Sequence, residues 1–445
     1  MAIANTTKSK VLFGNELQRT PPLIQEQNAP IVLSGKDNNG QIHKVPLTKA
    51  VLSKHIMLLG GIGTGKTNAF FQMVSQLKET MTNEDVMIVF DTKGDFYKEF
   101  YKPGDIVISN DETATGGDRL NYWNIFNEID YSTQSRESII EISKSIFAEA
   151  CERTNQIFFP NAAKDLFMAT ILHFIRSIPS HQCTNKRLIE YLCSTPSKEL
   201  RDMLKQYDDL RAMSSYISND DSAQTQGVIS ELQQVVREVF VGKFAETGTL
   251  SLRNLVRNKG GKTVFVEYDL SLGSMLSPIY SLMFDIAIKT ALGRKRSEGN
   301  VYFITDEFRL LPNLKHIDDA VNFGRSMGIK FLIGIQNVEQ IYSNYGKERA
   351  HSILSGFSTS INFRITDYES REYIKGIFGQ NRKQDVYMPI IQTKGLIEEQ
   401  RDGFVVEDWD ITNLQLGEAI IGLPGSEPFV FRFDEYKSVK QHDGK

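Results

Sequence analysis

Residues 56–67 read Ile-Met-Leu-Leu-Gly-Gly-Ile-Gly-Thr-Gly-Lys-Thr, four apolar residues followed by a glycine-rich stretch. The last eight match G-x-x-x-x-G-K-[ST], the P-loop pattern, which requires a strand before it and a helix after it. Further along, apolar residues recur with the period of a helix face, at Ala69, Phe70, Met73, Val74 and Leu77. A chance glycine-rich turn would lack this context. The stretch therefore predicts a nucleoside triphosphate site.

Each residue type in this loop has a physical task. Glycines let the backbone wrap a phosphate, successive N–H groups point inward at the anion, and the helix N-terminus adds its positive end. We expect Lys66 to act as a catalytic residue on the β- and γ-phosphates of ATP, and the Thr67 hydroxyl to ligate Mg²⁺. The predicted nucleotide-binding residues are Gly60, Gly61, Ile62, Gly63, Thr64, Gly65, Lys66, Thr67 and Asn68.

Length and composition indicate a globular protein with more than one domain. A chain of 445 residues exceeds one ordinary core, and 40% hydrophobic with 24% charged residues is typical of a folded protein in water. The sequence predicts no signal peptide and no membrane span of its own, and three cysteines without metal spacing fit a reducing cytoplasm. A net charge of −4 means that any nucleic-acid contact must be local.

Hydrophobic periodicity divides the chain into an α/β part and a helical part. Apolar runs that alternate with helical patterns predict a mostly parallel sheet, and a hairpin is expected around the turn at 35–40. Helical periodicity replaces these runs after about residue 131. The predicted divisions are an N-terminal arm and hairpin at 1–45, an α/β nucleotide-binding domain at 46–130 and 241–433, an inserted all-α domain at 131–240 and a polar tail at 434–445.

A second motif, which is acidic, completes the predicted nucleotide site. Val-Tyr-Phe-Ile-Thr at 301–305 is an apolar strand that ends in Asp306 and Glu307. Asp306 is expected to serve the Mg²⁺ site and Glu307 to polarise the attacking water as general base. Asp91, which also ends an apolar strand, competes with Asp306 for the metal role. We prefer the later pair because hydrolysis needs a base beside the metal ligand.

Two further residues fit the same scheme. Gln336 ends the next predicted strand, where a polar side chain can sense the γ-phosphate. Arg325 ends the helix before that strand and is a candidate arginine finger across a subunit interface. A strand-end glutamine bonded to backbone and an arginine on a solvated helix face are the alternatives.

Several stretches together resemble the coupling-protein family of conjugative and type IV secretion systems (TraG/TraD-like), within the FtsK–HerA group of P-loop ATPases. The resemblance covers roughly residues 45–380. It is carried by the approach to the P-loop at 55–67, Phe-Asp-Thr-Lys-Gly-Asp at 90–95, Thr-Asp-Glu-Phe at 305–308, the stretch 334–346, Asn-Tyr-Trp-Asn at 121–124 and Phe-Phe-Pro-Asn-Ala-Ala at 158–163.

The resemblance implies a RecA-like motor domain with an all-α domain, assembled as a hexamer around DNA. It places Arg325 and Gln336 where the family has its in-trans arginine and its sensor glutamine, and it makes 131–240 the surface that receives a relaxase–DNA substrate. The family usually begins with two membrane helices, and the sequence predicts none here. Either a partner anchors the protein, or it is a soluble relative that works in another context. The expected location is the cytoplasm, with recruitment to the inner face of the membrane by a partner.

DNA contact is expected through pore loops and mainly to phosphates, and hence to be sequence-independent. The basic residues Arg253, Lys259 and Lys262 form one candidate cluster, and 294–296 (Arg-Lys-Arg) form another. Solvated surface turns are the alternative for both clusters.

Three functions remain open at this stage. The first is an ATP-hydrolysing DNA translocase that couples DNA to a secretion channel in conjugation or type IV secretion. The second is a HerA/FtsK-like DNA pump in genome processing or phage defence. The third is an ATP-gated docking adaptor for protein substrates, against which the intact set Glu307, Gln336 and Arg325 argues.

Overall fold

The computed structural model describes residues 6–24, 26, 28–110, 122–131, 135–294, 298–387 and 397–438. Its strands are β1 Thr6–Phe13, β2 Ile31–Lys36, β3 Ile42–Leu47, β4 Ile56–Leu59, β5 Val86–Asp91, β6 Ile106–Ile108, β7 Lys262–Glu267, β8 Val301–Thr305, β9 Ile329–Ile335, β10 Thr359–Phe363, β11 Gln380–Tyr387, β12 Ile397–Phe404, β13 Glu418–Gly422 and β14 Phe429–Phe433.

The α-helices are α1 Lys49–Leu52, α2 Lys66–Thr80, α3 Asp95–Phe100, α4 Ser135–Ile146, α5 Ala148–Glu152, α6 Phe158–Ser177, α7 Asn185–Ser194, α8 Ser197–Lys205, α9 Ala223–Val239, α10 Leu252–Asn258, α11 Gly273–Leu292, α12 Ile317–Phe323, α13 Val338–Tyr345, α14 Lys347–Ser355, α15 Tyr368–Phe378 and α16 Asp408–Thr412. Short 3-10 helices include Ile125–Glu128, Phe308–Leu310 and Gly324–Met327.

The chain forms two compact units, the first made of 1–82, 302–309 and 321–445. Its strands lie in the order β3-β2-β14-β13-β10-β4-β9-β8. β4 runs parallel to both β9 and β10, whereas β13, β14, β2 and β3 extend the sheet with antiparallel pairs. Strands buried on both faces, such as β4 and β9, read as continuous apolar runs for that reason. The parallel centre agrees with the predicted fold class.

Helix α2 packs on this sheet through the apolar face that the sequence predicts. Ala69, Phe70, Met73, Val74 and Leu77 are all fully buried. The predicted hairpin is confirmed as well, because β2 pairs with β3 in a continuous register from Ile31↔Leu47 to Lys36↔Ile42.

The N-terminal arm contains a strand that the sequence does not indicate. Thr6–Phe13 pairs antiparallel with β11, and β11 pairs with β12. These three strands make a separate small sheet. The partner of β1 lies more than 360 residues away in the chain, so no local pattern reveals the pairing.

The second unit comprises 83–301 and 310–320. Its parallel strands lie in the order β5-β7-β6, and α3–α11 belong to it. Within it α6 packs against α9 and α4, and α11 packs against α4, α9 and α10. All described residues of the predicted all-α segment are in helices or their connections. Because this unit also contains residues on both sides of 131–240, the proposed domain boundaries stay a prediction.

Helix α11 carries Pro278 in its first turns. Among the described residues it is the one helix whose length and composition, over Met275–Leu292, are sufficient to cross a membrane, and 67% of that window is buried inside the protein. The helix predicted to end at Arg325 is α12 followed by the 3-10 turn Gly324–Met327.

Candidate active site

The P-loop connects β4 to α2 as the sequence predicts. Gly63 and Gly65 have φ angles of +70° and +115°, in the region that side chains with a Cβ rarely adopt. Gly65 is also the residue at the N-terminal cap of α2. Ile62, directly before Gly63, is 82% exposed. The loop therefore presents its backbone to solvent at the N-terminus of a 15-residue helix, the geometry that favours an anion.

The first two glycines of the loop serve packing in this structure. Gly60 donates its N–H to Ile335 O at 3.2 Å, and Gly61 donates to Arg364 O at 3.1 Å. A Cβ on Gly60 would lie 2.6 Å from Cβ of Phe363. The start of the loop is thereby fixed against the ends of β9 and β10.

Lys66 and Thr67, the last two residues of the P-loop pattern, supply an ammonium and a hydroxyl at the start of α2. The Lys66 ammonium donates hydrogen bonds to Gly60 O and, at 2.8 Å, to Gly61 O. Thr64 Oγ1 donates to the same Gly61 O at 2.9 Å. Thr67, half-buried, is the second residue of α2. Lys66 thus lies over the loop that it is predicted to serve.

Asn68, predicted to bind nucleotide, has another set of partners here. Its Nδ2 donates to Asp434 O at 2.9 Å, and its Oδ1 accepts from Tyr436 N at 2.7 Å. Both ends of the amide are used to hold the segment after β14. Sequence reasoning missed this contact because nothing in the local pattern links α2 to a segment some 370 residues later.

The predicted base and the predicted sensor meet at the ends of β8 and β9. Gln336 Nε2 donates to Glu307 Oε2 at 2.5 Å. Asp306 lies half-buried directly after β8. Because Ile335 O accepts from Gly60 N, one line of contacts runs from the P-loop through the end of β9 to Glu307. The structure therefore brings the loop, Gln336 and Glu307 to one edge of the sheet.

Gly334 makes this close approach possible. A Cβ at this position would lie 2.4 Å from Asp306 O, well inside van der Waals contact. Its φ angle is not in the left-handed region, so lack of space, and not backbone conformation, requires glycine here.

Arg325 lies apart from these contacts. It is exposed, in the 3-10 turn after α12, and no hydrogen bond or ion pair of its side chain is found among the described residues. The neighbouring Phe323 is 69% exposed. An exposed guanidinium without an intramolecular partner is what a residue acting on another subunit requires, and that role stays a prediction.

Asp91, the alternative candidate for the magnesium ligand, accepts hydrogen bonds from nearby backbone N–H groups. It is buried, and its carboxylate oxygens accept from Lys93 N at 3.4 Å and from Tyr97 N at 2.8 Å. Burial raises the pKa of Asp91, while these backbone donors act in the opposite direction. This carboxylate caps the start of α3, and the preference for Asp306 stands as a prediction.

Two of the three residues in the first basic cluster, the candidate contact for DNA phosphates, bind other residues of the protein. Arg253 is buried and forms an ion pair with Asp130. Lys259 donates to Glu298 O at 2.6 Å, whereas Lys262 is exposed. Paired or buried guanidinium and ammonium groups are poor phosphate ligands. Arg253 and Lys259 thus have partners within the protein, and a DNA contact by this cluster stays a prediction.

The second basic cluster is described only at its first residue. Arg294 is buried, with Glu298 Oε2 at 3.6 Å from its Nε. Burial lowers the pKa of Arg294. Residues 295 and 296, like Asn121 of the stretch 121–124, lie outside the described residues.

Three side chains around the site have roles that the sequence did not indicate. Arg309 Nε donates to Glu307 Oε1 at 3.0 Å. Gln72 and Gln76, on the polar side of α2, bond to main-chain groups of Ser34 and Val32. The i, i+4 spacing of the two glutamines was the available signal, since it places them on one helix face.

A family model describes most of the chain. Residues 39–428 match the type IV secretion-system coupling protein DNA-binding domain. The coupling protein TraD of Escherichia coli (strain K12) is 21% identical over 383 residues, which cover 84% of this chain and 50% of TraD. The chain thus spans about half the length of this curated relative.

Solved structures share the fold at low sequence identity. The bacterial conjugative coupling protein TrwBdeltaN70, in a trigonal form with sulphate, superposes with a TM-score of 0.73 at 18% identity, covering 98% of this chain and 97% of that one. Plasmid coupling protein TrwB in complex with ADP and Mg²⁺ gives 0.72 at 17%, covering 99% and 97%. VirB4 of Thermoanaerobacter pseudethanolicus gives 0.56 at 13%, covering 94% and 99%. The predicted fold class is confirmed.

Proposed function

This chain belongs to the type IV secretion-system coupling protein family, and we propose that it is an ATP-hydrolysing DNA translocase that recruits DNA and drives its transfer in conjugation or type IV secretion. The family model is named for a DNA-binding domain, which supports DNA as the partner. The observation that carries the enzymatic part is the line of contacts from Gly60 through Ile335 and Gln336 to Glu307.

The P-loop backbone and Lys66 are the groups that bind the phosphates. Gly63 and Gly65 give the loop its turns without a Cβ, and the N-terminus of α2 directs positive potential at the same place. Lys66 moves from the carbonyl oxygens of Gly60 and Gly61 to the phosphates when ATP binds, since an anionic oxygen is the stronger acceptor.

The donor types present fit a magnesium site. Thr67 supplies a hydroxyl and Asp306 a carboxylate, both half-buried and both hard oxygen ligands of the kind that Mg²⁺ prefers. When bound, Mg²⁺ supplies positive charge against the phosphate oxygens. Related coupling protein TrwB was solved with ADP and Mg²⁺, and ATP with Mg²⁺ is our proposal for this chain.

Hydrolysis needs a base, a sensor and a positive charge for the transition state. Glu307 takes the proton of the attacking water, and its hydrogen bond to Gln336 ties the base to the residue that detects the γ-phosphate. Arg325 reaches the site of the next subunit in a ring, which we propose to be a hexamer.

The helical segment and the pore loops are the proposed contacts with the substrate. Residues 131–240 receive the substrate, a relaxase with its DNA, and DNA phosphates contact loops that face a central pore. We place the protein in the cytoplasm, with a partner that recruits it to the inner face of the membrane and to the secretion channel.

The decisive test is ATPase activity of the purified chain with single-stranded, double-stranded and no DNA, at low salt and over a range of protein concentrations. We expect stimulation by DNA and a steep rise of specific activity with concentration, because Arg325 completes a site only between subunits. Activity that ignores both DNA and concentration would exclude the ring motor and leave the docking adaptor.

A further inference from the structure

The turn that carries the proposed base is fixed by three separate contacts, one to Gln336 directly after β9 and two to the last residues of α13, Asn344 and Tyr345. Gln336 donates to Glu307 Oε2 at 2.5 Å. The ring of Phe308 stacks on that of Tyr345, with centroids 5.9 Å apart and planes inclined by 6°. The third contact is a hydrogen bond from Asn344 to the main chain of Arg309. Together the three contacts restrict the backbone of residues 307–309.

The third contact leaves the guanidinium of Arg309 available. Asn344 Nδ2 donates to Arg309 O at 2.6 Å, which fixes the main chain of this residue. This contact does not use the side chain of Arg309, whose Nε donates to Glu307 Oε1 at 3.0 Å. Thus each oxygen of the Glu307 carboxylate accepts from a different donor, Arg309 on one side and Gln336 on the other.

The two donors differ in how easily they are displaced. The Arg309 side chain is 43% exposed, and that of Glu307 is 13% exposed. An ion pair with one partner in water is weak, because solvent screens it and the long side chain gains freedom on release. Gln336 is half-buried directly after β9, so solvent screens its contact less than that of the more exposed Arg309. Of the two contacts, that of Arg309 is the one that breaks first.

We propose that Arg309 is a positioning residue that holds Glu307 in a resting geometry in the DNA-free enzyme. The proposal rests on the proposed function, in which Glu307 is the base. While both oxygens are engaged, the carboxylate cannot turn toward a water without breaking a bond. Release of Arg309 frees Oε1 and, among the residues that the structure describes, leaves Gln336 as the side-chain donor to the base.

The test compares Arg309→Ala, Arg309→Lys and wild type in steady-state ATP hydrolysis with and without DNA. We expect Arg309→Ala to raise DNA-free kcat by about fivefold, equal to about 1 kcal/mol, the worth of one exposed ion pair. KM for ATP should stay constant, and the ratio of DNA-stimulated to basal activity should fall by the same factor. Arg309→Lys keeps the charge and should return basal kcat toward the wild-type value.

Arg19→Ala is the matched control. Arg19 Nη2 forms an exposed ion pair with Asp410 at 3.1 Å, and its side chain is 56% exposed. Its loss should change neither basal kcat nor the stimulation ratio. A merely structural role of Arg309 would instead lower the thermal midpoint and lower kcat with and without DNA alike.

Failure of this inference differs from failure of the proposed function. If wild type is stimulated by DNA and Glu307→Gln is inactive, yet Arg309→Ala has unchanged or reduced basal kcat, the restraining role of Arg309 is overturned alone. If wild type does not hydrolyse ATP, or if Glu307→Gln turns over like wild type, both the proposed function and the inference are overturned.

Discussion

Asp285 accepts two hydrogen bonds from His316, one from the backbone N–H at 2.9 Å and one from ring Nδ1 at 3.0 Å. His316 lies in the sequence between the proposed base Glu307 and the proposed finger Arg325. Next to it, Lys315 donates to Ser145 Oγ at 3.0 Å. Lys315 and His316 are therefore held by α4 and α11 within their own, helix-rich unit.

This anchor predicts a stability that depends on pH. The hydrogen bond and charge of Asp285 raise the pKa of His316 above its ordinary value of 6.5, although burial acts in the opposite direction. A pKa raised on folding stabilises the protein fully below the unfolded value, and that contribution is lost as pH rises through the folded value. The unfolding midpoint of His316→Gln should therefore fall below that of wild type by more at about pH 5.5 than at about pH 8.5.

Asp285→Asn serves as the partner variant in that experiment. It removes the cause of the shift, so its midpoint should lose the same pH dependence as His316→Gln. An equal deficit of both variants at the two pH values would show that the imidazolium charge does not contribute.

Substitutions of Lys66 and Glu307 should affect ATP binding and ATP turnover differently. Lys66→Ala removes the ammonium that serves the phosphates and is expected to abolish ATP binding in a fluorescent-nucleotide titration. Glu307→Gln keeps the size and the bond to Gln336 but not the base, so binding should persist while kcat falls by about 10²–10⁴-fold. Equal loss of binding in both variants would contradict the assignment of Glu307.

Arg325 should act on a neighbouring subunit. Arg325→Ala is expected to lower kcat by roughly 10³-fold or more while each subunit still binds ATP. Mixing it with Glu307→Gln should restore part of the activity, because a ring of both variants contains sites with an intact base facing an intact arginine. Mixtures as inactive as their components would argue for a role within one subunit.

Gly334 and Gly376 form a matched pair of glycine substitutions. At Gly334 an added Cβ would meet Asp306 O at 2.4 Å, whereas at Gly376, in α15, nothing lies within 4 Å. Gly334→Ala should lower the free energy of unfolding by about 1–3 kcal/mol through overpacking. Gly376→Ala should raise it by about 0.5–1 kcal/mol, since alanine favours a helix. A neutral Gly334→Ala, measured by urea denaturation, would mean that the ends of β8 and β9 separate freely.

The elements around the site followed from the sequence because their signals are local. β4, the P-loop and α2 form one continuous stretch, and the strand before Asp306 is a continuous apolar run whose strength does not depend on distant residues. The paired β2 and β3 were likewise visible from a turn between two short strands.

What the sequence did not reveal depends on distant partners. β1 forms a strand through its pairing with β11, and the side chain of Asn68 bonds to the segment after β14. Arg253 looked like a surface cation beside a glycine turn, but α10 turns it inward to Asp130. Burial of a charge is decided by what packs over it, and that information is absent from the surrounding residues.

The two glutamines of α2 determine which substitutions their contacts tolerate. Gln72 and Gln76 recognise main-chain N–H and C=O groups of Ser34 and Val32, and Gln72 also binds Asp434 O. Any residue except proline offers the same groups, so substitutions in β2 and after β14 leave these contacts intact. The glutamines themselves have no substitute of equal length and polarity. Substitutions should therefore accumulate in β2 and after β14 but not at Gln72 and Gln76. These contacts should not be visible as pairs of positions that change together.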